Sequence, residues 1–528
     1  MHACSVNVLR KNSGKNCRCK VLENKGKVWL VGAGPSDGGL MTIKGREALR
    51  NADVVVYDSL LGNEVLMMIP DSAEMINAGK RASRHTKPQH ETNRILLEEA
   101  LKGKRVVRLK GGDPFLFGRG GEELELLSEN NIEYEVVPGI TSAIAVCAYA
   151  GIPVTHRDFC SSVHIITAHA REGEEVSADF ESLVKLGGTL IFMMGVSSLE
   201  FICENLLAAG MDPQMPAAVL QDGTSARQKN VISVLSSLVQ KAAEEKAASP
   251  AVIVVGKVCS LAEKLSWAEK RPLGRTRVIV TRPAVSSGKL ASLLREYGAE
   301  AIEYPFIETS ETEDTSAVRK ALHGISEYSW IVCTSPNGVN CLLDKLIAND
   351  IDIRSIKGRT AAVGPITAEA FRKRGIKADF VSEEANADAL GQSLSELINQ
   401  DDRILIARAS YTDNSLFSQL AEKSAVCDDI AVYETKSISR TVPGISDILK
   451  SGADFITFSS ASAVRGFVRA CPDLPEQLPP AVCIGEKTAA EAAKHGFITE
   501  ISDDVSMKSM AEKIIFLSSE KRGKYGSS

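Results

Sequence analysis

From Lys27 onward, short apolar runs alternate with amphipathic stretches along the chain. Strand-like runs occur at Val28–Val31, Val54–Tyr57, Arg105–Leu109, Val163–Thr167, Leu190–Met193 and Ala251–Val255. Stretches with helical spacing lie between them, among them Gly45–Asn51, Glu91–Leu101 and Glu122–Glu129. Repetition of strand, turn and helix predicts an α/β fold with covered sheets. The pattern breaks at Ala262–Arg275, a charged stretch with Trp267, Pro272 and Gly274, then restarts at Arg277–Pro283 and Ala301–Ile307. This break marks the main domain boundary, with residues 266–274 as linker. A chain of 528 residues exceeds a single core and divides into three or four compact units.

A net charge of −5 with 24% charged residues gives no global bias toward nucleic acid. Apolar runs such as Ala251–Val255 fall far short of a membrane span. The twelve cysteines are sparse, none forms Cys-x-x-Cys, and Cys147, Cys203, Cys333 and Cys483 sit inside apolar stretches. They are expected to be reduced core thiols of a cytoplasmic protein. His156, His164 and His169 lack carboxylate or cysteine company, so no metal site is expected. Residues 1–26 are basic, hold Cys4, Cys17 and Cys19, and have no acidic residue before Glu23. They fit a disordered leader, with a transit peptide as the other reading. Residues 518–528 form a tail.

Two glycine-rich loops follow apolar strands, Val31–Leu40 and Gly111–Phe115. The first is not a dinucleotide fingerprint: the third glycine would have to stand at Asp37, and Pro35 removes an N–H from the donor run. A nicotinamide-dependent oxidoreductase is therefore disfavoured. Gly111 and Gly112 let a backbone approach a ligand closely, and Asp113 offers a carboxylate to amino or ribose groups. Either loop alone also fits a tight strand-to-helix turn.

Taken together, these loops resemble the S-adenosylmethionine-dependent tetrapyrrole methyltransferases. Val54–Asp58, Ala78–Ala82, Gly111–Gly121, Val137–Ser142 and Gly151–Arg157 extend the resemblance from about Lys27 to Trp267. Uroporphyrinogen-III C-methyltransferase is the nearest branch. Departures are mild: Ser36 and Gly38 stand where glycine and proline are common in the family, and Ser142 replaces a common alanine. The resemblance implies a methyltransferase domain over 27–265, with subdomains 27–138 and 139–265, and a homodimer. It places Pro35, Gly111, Gly112, Asp113, Leu116, Thr141, Ser142, Met194 and Gly223 on S-adenosylmethionine, with S-adenosylhomocysteine as product. It makes Asp58 the proton acceptor and Lys80 the proton donor. Read singly, Asp58 fits a cap and Lys80 a solvated charge. The basic run Lys80–His90, with Arg81 and Arg84, suits a polycarboxylate tetrapyrrole. The run has no aromatic platform for RNA bases.

In the second half, hydroxyl-bearing loops follow apolar strands: Cys333–Gly338 with Thr334, Ser335 and Asn337, Ala362–Ala368, Thr457–Ser462 with Ser459 and Ser460, and Ile484–Ala489 with Thr488. Such loops bind carboxylates at helix N-termini, and singly they are also ordinary N-caps. With Val278–Pro283 and Ala431–Thr435 they resemble the uroporphyrinogen-III synthases from about Arg275 to Leu517. The resemblance implies a bilobal α/β domain over 275–517, with lobes 275–309 plus 436–517 and 310–435. The connections would lie near Tyr304–Thr312 and Ile430–Ser439. The implied reaction closes hydroxymethylbilane, inverts its last ring and needs no cofactor. Tyr433 would stand near the leaving hydroxyl, or else pack the linker.

The fusion implies a bifunctional enzyme that makes uroporphyrinogen III and methylates it twice to precorrin-2, on the sirohaem or cobalamin branch. The alternative is a methyltransferase acting on a later corrin intermediate, with a non-catalytic tetrapyrrole-binding second half. Neither half resembles the nucleotide-binding domain of trifunctional sirohaem synthases, so oxidation and iron insertion would fall to other proteins. The expected partners are small tetrapyrroles, with neither nucleic acid nor membrane.

Overall fold

The computed structural model describes residues 25–525 except 60, 80–88, 169–177, 282–283, 305, 313–314, 385, 411–413, 424–425, 438–444 and 473. Its first sheet comprises β1 (Lys27–Gly32), β2 (Val54–Tyr57), β3 (Glu74–Asn77), β4 (Arg105–Lys110) and β5 (Glu133–Val137) in the order β3-β2-β4-β1-β5. All neighbours are parallel. A parallel sheet buries both faces, which explains why every side chain of Val54–Tyr57 is buried. The helices α1 (Ile43–Arg50), α2 (Asn63–Leu66), α3 (Gln89–Leu101), α4 (Gly120–Glu129) and α5 (Ser142–Tyr149) intervene along the chain. Helix α1 begins two residues before the stretch with helical spacing, because Thr42 caps it by accepting from the Gly45 N–H. The order sets β4 between β1 and β2, so the loops after these strands open on one edge.

The second sheet, in the order β6-β7-β10-β8-β9, contains β6 (Val163–Thr167), β7 (Thr189–Met193), β8 (Pro216–Gln221), β9 (Lys229–Val234) and β10 (Ala251–Val255). Its opposite faces hold separate cores, one around Phe192 and Ile253 and one around Ile191 and Val254. The charged stretch at the sequence break is structured. It forms two short helices, Ala262–Leu265 and Trp267–Lys270. Trp267 stacks edge-on against Tyr149 at 5.1 Å and donates its indole N–H to the Ala148 carbonyl.

The remaining strands are β11 (Arg277–Val280), β12 (Glu300–Glu303), β13 (Ile307–Glu311), β14 (Trp330–Cys333), β15 (Arg359–Ala362), β16 (Phe380–Val381), β17 (Arg403–Ala409), β18 (Val426–Ser437), β19 (Phe455–Phe458), β20 (Ala481–Cys483) and β21 (Thr499–Ile501). They build two sheets, β12-β11-β19-β20-β21 and β13-β18-β17-β14-β15-β16. Strands β13 and β18 pair antiparallel from Ile307 with Ser437 to Glu311 with Tyr433. That ribbon leads from one sheet to the other. The expected α/β class is what the structure shows. By contacts the chain divides into two compact units after Arg277, with Leu294–Ile302 counted in the first.

Cys147, Cys203, Cys333 and Cys483 are buried free thiols. Burial pushes the Cys147 thiol up to about 12, so it is protonated and inert at neutral pH. Among the described residues, no helix is long and apolar enough to cross a membrane.

Candidate active sites

The first site begins with two glycines. Gly34 and Gly112 have left-handed backbones, with φ of 74° and 67°. Each accepts from the other's N–H, at 2.7 and 3.2 Å, which ties the loop after β1 to the loop after β4. A third loop closes in from β5. A Cβ on Gly139 would lie 2.1 Å from the Gly112 carbonyl oxygen, and one on Gly32 would lie 2.5 Å from the Gly139 Cα. Only glycine lets these three backbones meet. On Gly112 itself an added Cβ would find only Ser142 N at 3.9 Å and Thr141 Cα at 4.0 Å, so that side is open to a ligand.

Asp113 staples this junction. Its Oδ1 accepts from the Phe115 and Leu116 N–H groups at 2.8 and 3.1 Å, and its Oδ2 accepts from Gly139 N–H at 3.0 Å. Its carboxylate therefore has a structural duty that the sequence did not reveal. Thr141 caps α5 through the Ala143 N–H. Pro35 lies in the first loop, whose next two residues, Ser36 and Asp37, donate their N–H groups to Thr224 Oγ1 at 2.9 and 3.1 Å. Asp37, the residue that excluded a dinucleotide loop, caps the turn at Gly39 and receives the Tyr149 hydroxyl. Gly223 meets α5 so closely that a Cβ would stand 2.1 Å from Val146 Cγ2.

Pro35, Gly111, Gly112, Asp113, Leu116, Thr141 and Ser142 thus belong to three meeting loops, with Gly223 beside them next to Thr224. Met194 lies at the end of β7, half-exposed, with φ of 57°. The arrangement leaves open backbone at Gly112 beside the Thr141 and Ser142 segment, while both Asp113 oxygens are taken by backbone N–H groups.

Asp58 follows β2 on the same sheet edge. It is not a helix cap. Arg108 Nη2 donates to its Oδ1 at 2.7 Å, and Lys110 Nζ lies 4.0 Å from its Oδ2. Arg108 and Lys110 alternate on β4, so both point to one face, and both are buried. Behind them Glu123 on α4, wholly buried, takes Arg108 Nε at 3.1 Å and Lys110 Nζ at 3.0 Å. Burial, with Arg108 alongside, pulls the Lys110 ammonium below the usual lysine range. The sequence reading missed Arg108, Lys110, Glu123, Thr224 and Tyr149. The available signal was Arg108 and Lys110 at alternate positions of β4, which beyond its first residue, Arg105, is otherwise apolar. Lys80, Arg81 and Arg84 lie outside the described residues.

In the second half, Thr334, Ser335 and Asn337 lie at the carboxyl end of β14. Ser335 caps the helix Pro336–Ala348, its Oγ accepting from Gly338 N–H at 3.0 Å and lying 2.9 Å from Tyr433 Oη. Tyr433 is buried on β18, where the pairing with β17 shifts register. Burial pushes its phenol above the ordinary tyrosine range, against a smaller opposing effect of the Ser335 hydrogen bond. Ser459 and Ser460 follow β19, and Ser460 caps the helix Ala461–Ala470 through Ala463 N–H. Thr488 is buried in the first turn of the helix Glu486–Ala493, after β20. So the structure joins Tyr433 to Ser335 and sets Ser459, Ser460 and Thr488 on the other sheet. Among the described residues, no group of three or more His, Cys, Asp or Glu side chains is placed to hold a metal ion.

Two family models match. Tetrapyrrole (Corrin/Porphyrin) Methylases covers residues 27–239, and Uroporphyrinogen-III synthase HemD covers residues 288–512. The porphyrin biosynthesis protein HemD of Ruminiclostridium josui is 45% identical over 492 residues, 93% of this chain and 98% of that one. The uroporphyrinogen-III C-methyltransferase of Bacillus subtilis is 34% identical over 485 residues, 89% of this chain and 94% of that one. Among solved structures, uroporphyrin-III C-methyl transferase from Thermus thermophilus complexed with S-adenyl homocysteine is 34% identical. It covers 44% of this chain and 93% of its own, with a TM-score of 0.38. The chain therefore belongs to the family of fused tetrapyrrole-biosynthesis enzymes in which a tetrapyrrole methylase precedes a uroporphyrinogen-III synthase.

Proposed function

We propose that the second half closes hydroxymethylbilane to uroporphyrinogen III and that the first half methylates this product twice, giving precorrin-2 for sirohaem or cobalamin. The observation that carries this reading is the junction of the Gly34, Gly112 and Thr141 loops on the same sheet edge as Asp58. S-adenosylmethionine supplies the electrophilic methyl group. The protein's share is to hold donor and pyrrole carbon in line. The open side of Gly112, the Thr141 and Ser142 segment, Pro35, Gly111, Leu116, Met194 and Gly223 would hold the donor. Once a ring carbon is methylated, the macrocycle must lose a proton, and Asp58 is the acceptor in this scheme, with Lys80 as donor. Arg81 and Arg84 would pair with substrate carboxylates.

In the second half, Ser335, Thr334, Asn337, Ser459, Ser460 and Thr488 would bind the carboxylates of the linear tetrapyrrole. Tyr433 would stand by the leaving hydroxyl. The buried, protonated phenol suits a proton donor there. The same reading has the methylase half pair with a second copy in the cytoplasm. The exposed apolar side chains of Phe115, Ile140 and Ile144 fit such a pairing.

The test is incubation of the full chain with hydroxymethylbilane and S-adenosylmethionine, with products identified by mass and isomer. A doubly methylated type III product supports the reading. A single methyl group, or methylation only of later corrins, sinks it in favour of the alternative substrate. Sedimentation of the full chain checks the dimer.

A further inference from the structure

Two cations buried at adjacent same-face positions of a central parallel strand are costly, and they persist only where something balances them. Here the balance has two sides. Asp58, partly exposed, takes one side of the Arg108 guanidinium through Nη2, and Glu123, wholly buried, takes the other through Nε. Lys110 sits between the same two carboxylates, at 3.0 Å from Glu123 Oε1 and 4.0 Å from Asp58 Oδ2. The Gln89 side-chain amide on α3 also donates to Glu123 Oε1, at 3.0 Å, which fixes that oxygen. The second oxygen of Glu123, Oε2, is buried with no hydrogen-bond partner among the described residues. Its negative charge is therefore held in place almost wholly by the two cations.

Asp58 is the member that reaches solvent. Its side chain is 29% exposed, against 4% for Arg108, 6% for Lys110 and 0% for Glu123. A carboxylate facing two uncompensated buried cations would bind a proton too weakly to act as a base. Glu123 removes that excess. Among the described residues the charged groups facing Asp58 are Arg108 and Lys110 from β4, with Glu123 of α4 behind them. Lys80 lies outside the described residues.

We propose that Glu123 is a positioning residue for the methyl-transfer reaction: it neutralises the Arg108–Lys110 pair from behind and so sets how strongly Asp58 takes up a proton. The proposal rests on the reading of Asp58 as proton acceptor. It assigns opposite effects to the two charges behind Asp58. Loss of the Glu123 charge leaves excess positive charge and weakens the base. Loss of the Lys110 charge leaves excess negative charge and strengthens its hold on a proton. Losing both restores the balance.

The experiment measures kcat/KM for methylation of uroporphyrinogen III by the full chain across pH, with S-adenosylhomocysteine binding by calorimetry as a check on folding. In Glu123→Gln the acidic limb should move down by roughly one unit and the plateau should fall. In Lys110→Met the limb should move up by a similar amount. In the double variant Glu123→Gln/Lys110→Met it should return toward the parent position. A merely structural role predicts lower rates in all three with the limb unmoved, and that result overturns the proposal. If Glu123→Gln does not fold, an unmoved limb in Lys110→Met overturns it equally. Asp58→Asn separates the two levels of inference. A fully active Asp58→Asn overturns the reading of Asp58 itself. An inactive Asp58→Asn with unmoved limbs in the other variants overturns only the role of Glu123.

Discussion

Under the proposed function the two halves meet the same task, holding a polycarboxylate tetrapyrrole, with opposite kinds of residue. In the methylase half the candidate site departs from ordinary local rules. Two glycines there hold left-handed backbones, three loops meet at distances that no side chain tolerates, and two cations are buried in a strand. In the synthase half the site follows those rules. Ser335 and Ser460 are regular N-caps, and Gly485, which starts the Thr488 helix, has an extended φ of −179°. Departures from local preference mark function because they must be held in place by the rest of the fold. Caps mark only the start of a helix. The contrast predicts that single substitutions are severe in the first half and mild in the second.

The sharpest break of that contrast would come from Asp58. Asp58→Ala should lower the methylation rate roughly 10²–10⁴-fold if the carboxylate moves a proton in the transition state. Binding of S-adenosylhomocysteine should survive, because the loop junction at Gly112 does not include Asp58. A normal rate would make Asp58 a partner of Arg108 and nothing more.

Glycines give a matched pair. Gly139→Ala places a Cβ 2.1 Å from the Gly112 carbonyl, a backbone atom that cannot step aside. The cost should be about 1–3 kcal/mol or more, with weakened S-adenosylhomocysteine binding as the loops part. Gly485→Ala meets nothing within 4 Å and should change stability by about 0.5 kcal/mol or less. Denaturant unfolding and calorimetry on the full chain measure both. Equal effects would show that the two sites do not differ in how they bear substitution.

Thr224 tests what the sequence could not reveal. Its hydroxyl accepts two backbone N–H groups from the first loop, across sequence separations of 188 and 187 residues. Thr224→Val keeps the shape and strands both N–H groups, which should cost about 1–3 kcal/mol in denaturant unfolding and weaken S-adenosylhomocysteine binding if the first loop holds the donor as proposed. Legibility tracks that distance. The strands Val54–Tyr57, Val163–Thr167 and Ala251–Val255 have the same bounds in the sequence reading and in the structure, because apolar runs of that length are local facts. The glycine loops were legible because the conformations they allow are local too. Arg108, Lys110 and Glu123 were not. Their meaning depends on β4 lying beside β2 and beneath α4, which no local pattern encodes. In the second half the hydroxyl loops were visible, but their pairing with Tyr433 depended on the register of β17 and β18.

That pairing sets the smallest expected effects. Ser335 Oγ accepts from Gly338 N–H and lies 2.9 Å from Tyr433 Oη, and either hydroxyl can donate across that distance; with Ser335 as donor, its proton goes to Tyr433 Oη. In that arrangement the phenol keeps its proton, as its burial also favours, and can give it to a departing hydroxyl. Tyr433→Phe removes the donor and should reduce ring closure more than any single hydroxyl change. Ser335→Ala loses a cap and the orienting bond together, so it should fall next. Ser460→Ala removes a cap whose other hydrogen-bond partner among the described residues is Ser462, and should cost about 1 kcal/mol of stability with little loss of rate. The readout is the isomer formed from hydroxymethylbilane by the full chain. Should Tyr433→Phe and Ser460→Ala give the same rate and the same type III fraction, Tyr433 is a strand residue that packs the β13–β18 ribbon, and binding alone directs ring closure. Should Tyr433→Phe alone leak the uninverted type I isomer, the hydroxyl acts on the leaving group, and the second half holds one chemical residue among its caps.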